Sequence, residues 1–203
     1  MSVRAALFDI GGVLEITPST GWRQKWETRL CLRPGELDER LAEVWRAGAV
    51  GRITEQEVSA RIGAILSLDA RETAALLHDG WEEYLGQPNF ELIAYFRGLR
   101  PRLRTGIISN SFVGAREREH ARYAFAELCD VLIYSHEVGM EKPDSRIFEL
   151  ALSRLEVRAE EAVFVDDVEM HVDAARKLGM HAVLFTDAAR AIAEIEALRH
   201  RVA

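Results

Sequence analysis

The sequence predicts an α/β fold, a doubly wound parallel sheet with a helical segment inserted after its first strand. Short, continuous apolar runs recur along the chain, and amphipathic helical patterns separate the later ones. Between residues 17 and 97, apolar residues recur at helical spacing and no strand-like run occurs. Continuous rather than alternating apolar character marks strands buried on both faces, which requires helices on both sides of the sheet. Alternation of such strands with helices defines the α/β class.

The first strand is VRAALF (3–8). In the insertion, Thr54 and Glu57 form a capping box before VSARIGAILSL, and Asn89, after Pro88, caps FELIAYFRGL. All four tryptophans, Trp22, Trp26, Trp45 and Trp81, fall here. They are expected to pack the insertion's own core, with Trp22 near enough to the first loop to face a ligand. Next come the strand RTGIIS (104–109), the helix FVGAREREHARYAFAEL and the strand VLIYS (131–135). The helix DSRIFELALSRL starts at its N-cap, Asp144, and leads to the strand AVFV (162–165). The helix VEMHVDAARKLG ends at Gly179, a natural C′ residue, before the strand AVLF (182–185). AARAIAEIEALRHRV closes the fold as an amphipathic helix. The expected division is a core of residues 1–16 and 98–203 and a helical insertion of 17–97. A length of 203 residues fits one domain carrying such an insertion.

A net charge of −7 argues against a nucleic-acid or anionic-membrane binder, which needs a basic face. No apolar stretch approaches the ~20 residues of a membrane span, and the N-terminus runs into a strand pattern without a signal-peptide cleavage region. A cytoplasmic location is therefore expected. Cys31 and Cys129 lack zinc-site spacing and are expected as buried thiols.

In open parallel sheets, ligands bind at the carboxyl ends of the strands. Those ends carry Asp9, the pair Ser109 and Asn110, Lys142 before a proline, and the pair Asp166 and Asp167. Each alone has an ordinary explanation as a turn, cap or solvated residue; their succession at consecutive strand ends points to one site. Carboxylates converging on one sheet edge repel by up to ~4 kcal/mol per close pair at an effective dielectric near 20. A hard divalent cation with oxygen ligands, Mg²⁺, relieves that repulsion, and Lys142 adds a fixed positive charge. A phosphoryl group between them, with Ser109 on its oxygens, is stabilised as charge builds, and Asp9 is placed to attack phosphorus.

Four motifs, FDIGGVL, IISNS, GMEKPD and FVDDVEMHVDAARKLG, closely resemble those of the haloacid dehalogenase superfamily, specifically its phosphatase-like members. The resemblance covers residues 3–16 and 99–190. It implies a Rossmann-like core, with the insertion as a cap of the first type that covers the site and selects substrate. It implies Asp9 as nucleophile and Mg²⁺ ligand, the backbone carbonyl of Gly11 as a second ligand, and Asp167 as the direct carboxylate ligand supported by Asp166. Ser109, helped by Asn110, would bind the phosphoryl group, and Lys142 would bridge Asp9 and phosphate. No role transfers to His171, which is expected at the surface or the site rim.

The chain departs from the pattern at Gly11, where most phosphatases of the family carry a second aspartate as general acid and base. A proton shuttle of this kind is worth typically ~10²- to 10⁴-fold. Glu15, six residues beyond Asp9, is expected as a solvated loop residue. The leading expectation is a Mg²⁺-dependent hydrolase that removes phosphate from a small phosphorylated metabolite through an aspartyl phosphate on Asp9. Its leaving group would need little protonation, as in anomeric sugar, acyl or aryl phosphates. The alternatives are a 2-haloacid dehalogenase, whose halide leaves without a proton, and a catalytically weak relative that binds a phosphorylated ligand or a protein partner. Substrate identity and oligomeric state are not legible.

Overall fold

The computed structural model describes residues 2–200, so the ends of the expected core, Met1 and 201–203, lie outside the described residues. Five parallel strands form the sheet: β1 (Ala5–Phe8), β4 (Arg104–Ser109), β5 (Val131–Tyr134), β6 (Ala162–Asp166) and β7 (His181–Leu184). Their order is β5-β4-β1-β6-β7, so β1 lies at the centre. The chain leaves β1 toward one edge and later returns to its other side, and ligand crevices form at such reversals of strand order.

Successive residues of β1 face opposite sides of the sheet. Ala6 and Phe8 pack with Leu92, Phe96 and Leu99 of α5 (Phe90–Leu99) and with Ala191 and Ile195 of α10 (Ala188–His200). Ala5 and Leu7 pack with Ile147, Phe148, Ala151 and Leu155 of α8 (Ser145–Leu155) and with Ala175 of α9 (Glu169–Lys177). The three central strands are buried between two helical layers and the edge strands β5 and β7 partly so, as their continuous apolar character requires. Among the described residues, no helix is long and apolar enough to cross a membrane.

Four helices fill most of the insertion: α1 (Trp22–Arg29), α2 (Glu36–Ala49), α3 (Glu55–Leu66) and α4 (Ala70–Leu85). They bury Trp26, Leu37, Leu41, Val58, Ile62 and Leu76 in a separate core. The expected capping box at Thr54 and Glu57 is present. Asp69 and Glu72 form a second at the start of α4.

Two features differ from expectation. The helix 90–99 has its apolar face against the sheet, so the boundary near 97 gives the insertion a helix that packs with the core. The insertion also returns through a strand-like segment: β3 (Gln87–Pro88) pairs antiparallel with β2 (Glu15–Ile16). Two-residue strands have no periodicity to read. Asn89 caps α5 through Leu92 and also donates to the Val13 carbonyl at 3.0 Å, which fixes this crossing. Cys129 is buried as expected, whereas Cys31, just past the end of α1, is exposed.

The end of α2 is the insertion's seat on the core. Gly48 has no room for a side chain, because a Cβ would lie 2.2 Å from the Phe112 ring. The Gly48 and Ala49 carbonyls accept from the Val113 N–H at 3.2 Å and the Ser135 hydroxyl at 2.8 Å.

Candidate active site

Register sets the site. Phe8 pairs with Ile107 of β4 and Val165 of β6, so Asp9, Ser109 and Asp166 emerge together at the carboxyl edge. Asp9 is buried, and its Oδ1 accepts from the Ile10 N–H at 2.7 Å. Lys142 is buried to the tip of its side chain, with Nζ 2.8 Å from Asp9 Oδ1 and 2.6 Å from Asp166 Oδ2. This fully buried ammonium is held by two carboxylates, as a buried charge requires.

Asn110 holds this lysine in place. Its Nδ2 donates to the Lys142 carbonyl at 2.9 Å, and its Oδ1 accepts from the Lys142 N–H at 2.8 Å. Asn110 thus positions Lys142, and its second Nδ2–H stays available on the exposed side of the residue. Ser109 closes β4 beside Asp9 and is buried.

Asp166 receives the Val168 N–H at 2.8 Å and lies 3.0 Å from His171 Nδ1, in addition to its bond with Lys142. Burial alone would raise its carboxyl, but the His171 bond, the charge and bond of Lys142 and the Val168 N–H outweigh it and hold it below the usual range. Burial pushes Asp9 upward to about 7 against the pull of Lys142, with Asp166 adding to the rise. Asp167 is raised by burial and by its neighbour Asp166.

His171 is thus not at the surface. It lies in the first turn of α9 and shares the buried face of that helix with Val172 and Ala175. The one-residue and four-residue spacings from His171 to these positions were the available signal.

Asp167 is exposed and lies against the turn after β1. A Cβ at Gly12 would stand 2.1 Å from Asp167 Oδ2, and Gly12 has φ of 72°. The positive φ favours glycine, and a side chain there would push the flexible Asp167 carboxylate aside. Gly12→Ala is expected to displace Asp167 and weaken divalent-cation affinity ~10- to 100-fold. Titration of activity against Mg²⁺ checks this, and an unchanged midpoint would remove Asp167 from the ligand set.

Glu15 is not solvated either. It is 2% exposed and accepts from the Thr17 hydroxyl at 3.2 Å. Burial raises its carboxyl to about 8, the Thr17 bond opposing and the charges of Glu119 and Asp9 adding to the rise. β2 turned this side chain inward, a consequence of strand pairing across the insertion. Glu119, on α6 (Ala115–Tyr123), was also missed. It accepts the Tyr134 hydroxyl, while its other oxygen lacks a full hydrogen bond, with Tyr84 beside it. Burial raises Glu119 from 4.5 to about 7, the Tyr134 and Tyr84 hydroxyls opposing and Asp9 reinforcing.

The folded chain therefore keeps a proton on Glu119 that the unfolded chain releases. Its contribution to stability falls as pH rises from 4.5 to about 7 and is constant above. Glu119→Gln is expected to raise stability at pH 8 by roughly 2–3 kcal/mol and to change it little at pH 5. Thermal melts at the two pH values check the difference; an equal shift at both would show that the carboxyl does not titrate there.

For a metal, the described residues bring Asp9, Asp166 and His171 together, with ligand atoms within 4.8 Å of one another. Asp166 and His171 already bond each other, and Asp166 also holds Lys142. The less committed oxygens are those of Asp9 and of Asp167 beside the Gly11-Gly12 turn. Such oxygen donors suit a hard cation of the magnesium type.

A central buried carboxylate, a buried bridging lysine and an acidic pair at the end of the adjacent strand define a hydrolase core of a known kind. Residues 3–179 match the model of the haloacid dehalogenase-like hydrolases, and the chain belongs to that family. It is 29% identical to the pig (Sus scrofa) bifunctional epoxide hydrolase 2 over 97% of this chain and 39% of that protein. The chain thus spans about two fifths of that relative. It is also 27% identical to a sesquiterpene phosphatase, astK, of Aspergillus oryzae, over 96% of both chains. Among solved structures, a HAD-like hydrolase of Porphyromonas gingivalis superposes with a TM-score of 0.82 at 21% identity, covering 99% of this chain and 100% of the other. A Bacteroides thetaiotaomicron HAD enzyme in complex with magnesium and inorganic phosphate gives 0.75 at 20% identity, over 92% of this chain and 96% of the other.

Proposed function

We propose that the protein is a Mg²⁺-dependent phosphatase acting on a small phosphorylated metabolite, with Asp9 as its nucleophile. The observation that carries this reading is the buried Lys142 bridge between Asp9 and Asp166 at the centre of the sheet edge. The phosphatase relative of near-equal length and the magnesium- and phosphate-bound structural neighbour agree with it.

In this reading Asp9, the Gly11 carbonyl and Asp167 would hold Mg²⁺, with Asp166 in support. The cation supplies positive charge to the phosphoryl oxygens when bound. Lys142 holds Asp9 in its attacking position and faces the same oxygens, and the Ser109 hydroxyl donates to them. Main-chain N–H groups after β4, including that of Asn110, add neutral donors. Asp9 attacks phosphorus, the ester oxygen departs, and water then cleaves the aspartyl phosphate. Residues 17–86 act as the cap. A dehalogenase needs no cation and so has no use for the acidic pair Asp166 and Asp167 at this edge.

Aryl phosphate hydrolysis is expected to require Mg²⁺, to stop with a chelator and to return when Mg²⁺ is restored. Phosphate release assayed through that cycle tests the reading; persistence of full activity in the chelator would reject the metal's role.

A further inference from the structure

Between cap and core lies a cavity of about 530 Å³. Its floor contains Asn110, Ser111 and Thr17. A Cβ at Gly11 would lie 3.8 Å from the Thr17 hydroxyl, and Asn110 grips the backbone of Lys142. The cavity therefore opens from the reacting centre, on the side where an ester's organic group would lie.

Its walls are aromatic: Trp22, Trp45, Trp81, Tyr84 and Phe112. Trp45 and Trp81 each meet Phe112 edge-on, at 5.7 and 6.2 Å between ring centres. Three of the four tryptophans thus line this space, with Trp22 and Trp45 also packing in the insertion's core as expected.

The polar side chains of the lining are engaged with the protein. Arg23 pairs with Asp38 and Glu83 at 2.9 Å each, and the Trp45 indole donates to Asp38 at 3.2 Å. Ser111 Oγ lies 2.6 Å from His136 Nδ1, and the Thr17 hydroxyl donates to Glu15. The aromatic faces offer a sugar's hydroxyls no partner, whereas an apolar ring only displaces water from them.

Resting on the phosphatase reading, we infer that the substrate is a phosphate ester of an apolar, ring-bearing alcohol whose oxygen leaves without a proton donor, a hydrophobic aryl phosphate. The aromatic box selects the organic group. Gly11 favours phenol-like leaving groups, because no side chain at that position protonates the departing oxygen. Water is the second reactant, and the products are the phenol and inorganic phosphate.

A series of 4-alkylphenyl phosphates tests this, because lengthening the alkyl group adds apolar surface with little change in the leaving oxygen. With Mg²⁺, kcat/KM is expected to rise about three- to four-fold per added methylene until the cavity is filled. Glucose 1-phosphate should fall far below the series. Gly80 lines the cavity, and a Cβ there would meet the Trp22 ring at 3.6 Å, so Gly80→Leu should flatten the rise. Binding is read separately in Asp9→Asn from tryptophan fluorescence, which should saturate at lower concentration as the alkyl group lengthens. Phosphatase activity without a length dependence, or with preference for glucose 1-phosphate, overturns the inference and leaves the phosphatase reading intact. Length-dependent fluorescence in a wild-type protein inactive on every phosphate supports the pocket and overturns the phosphatase reading.

Discussion

Asp9→Asn is expected to lower Mg²⁺-dependent phosphate release by roughly 10³-fold or more without lowering the melting temperature at pH 8. The loss follows because the amide cannot form the acyl phosphate, and nothing else at the sheet edge replaces it as a nucleophile. Retained stability follows from the cost of the native carboxylate. Burial raises Asp9 to about 7, so its ionised form weakens the fold as pH rises from 3.8 to about 7. The amide fits the same space and removes that cost, as expected where an active site holds a charge for chemistry at the expense of stability. Activity and thermal melts on the same metal-free preparation, with Mg²⁺ added back for the assay, check both halves. A variant that is inactive because it has unfolded would not support the assignment.

Lys142→Met carries the largest expected effect on stability. It leaves Asp9 and Asp166 facing each other in a buried site without their shared cation, and breaking such a pair costs about 3–5 kcal/mol. At about 2–4 °C per kcal/mol for a chain of this size, the melting temperature should fall roughly 6–20 °C. Activity should be lost as well. Asp9→Asn in the same chain removes one of the two stranded carboxylates, so the double variant should be more stable than Lys142→Met alone. That non-additivity distinguishes a charge effect from a packing effect. Equal destabilisation with and without Asp9→Asn would show that the lysine acts through its aliphatic stem.

The sheet was legible because both of its faces are buried, and burial on two faces leaves continuous apolar runs that survive in one dimension. Asp9, Ser109, Lys142, Asp166 and Asp167 were legible for a related reason. A parallel sheet gathers its ligands at one edge, so polar residues ending successive strands become neighbours without any knowledge of pairing. The positioning bonds of Asn110 were not legible, because its amide holds a backbone segment 32 residues away. Glu15 was missed because its burial depends on how the insertion returns across the core through Gln87–Pro88, and Glu119 because its partners Tyr134 and Tyr84 lie on other elements. The helical periodicity of 90–99 shows an apolar face but not which of two cores that face joins. His171 was within reach, since its helix repeats its apolar positions at the spacing that includes it.

Intact-mass analysis of the protein mixed with Mg²⁺ and an aryl phosphate tests the central claim most directly. A ~80 Da adduct, one phosphoryl group, should appear on Asp9 and persist, because Gly11 supplies no base to speed attack by water. Asp9→Asn should show none. Hydrolysis with no adduct in the wild type, or an adduct of the same mass in Asp9→Asn, would contradict a covalent route through Asp9.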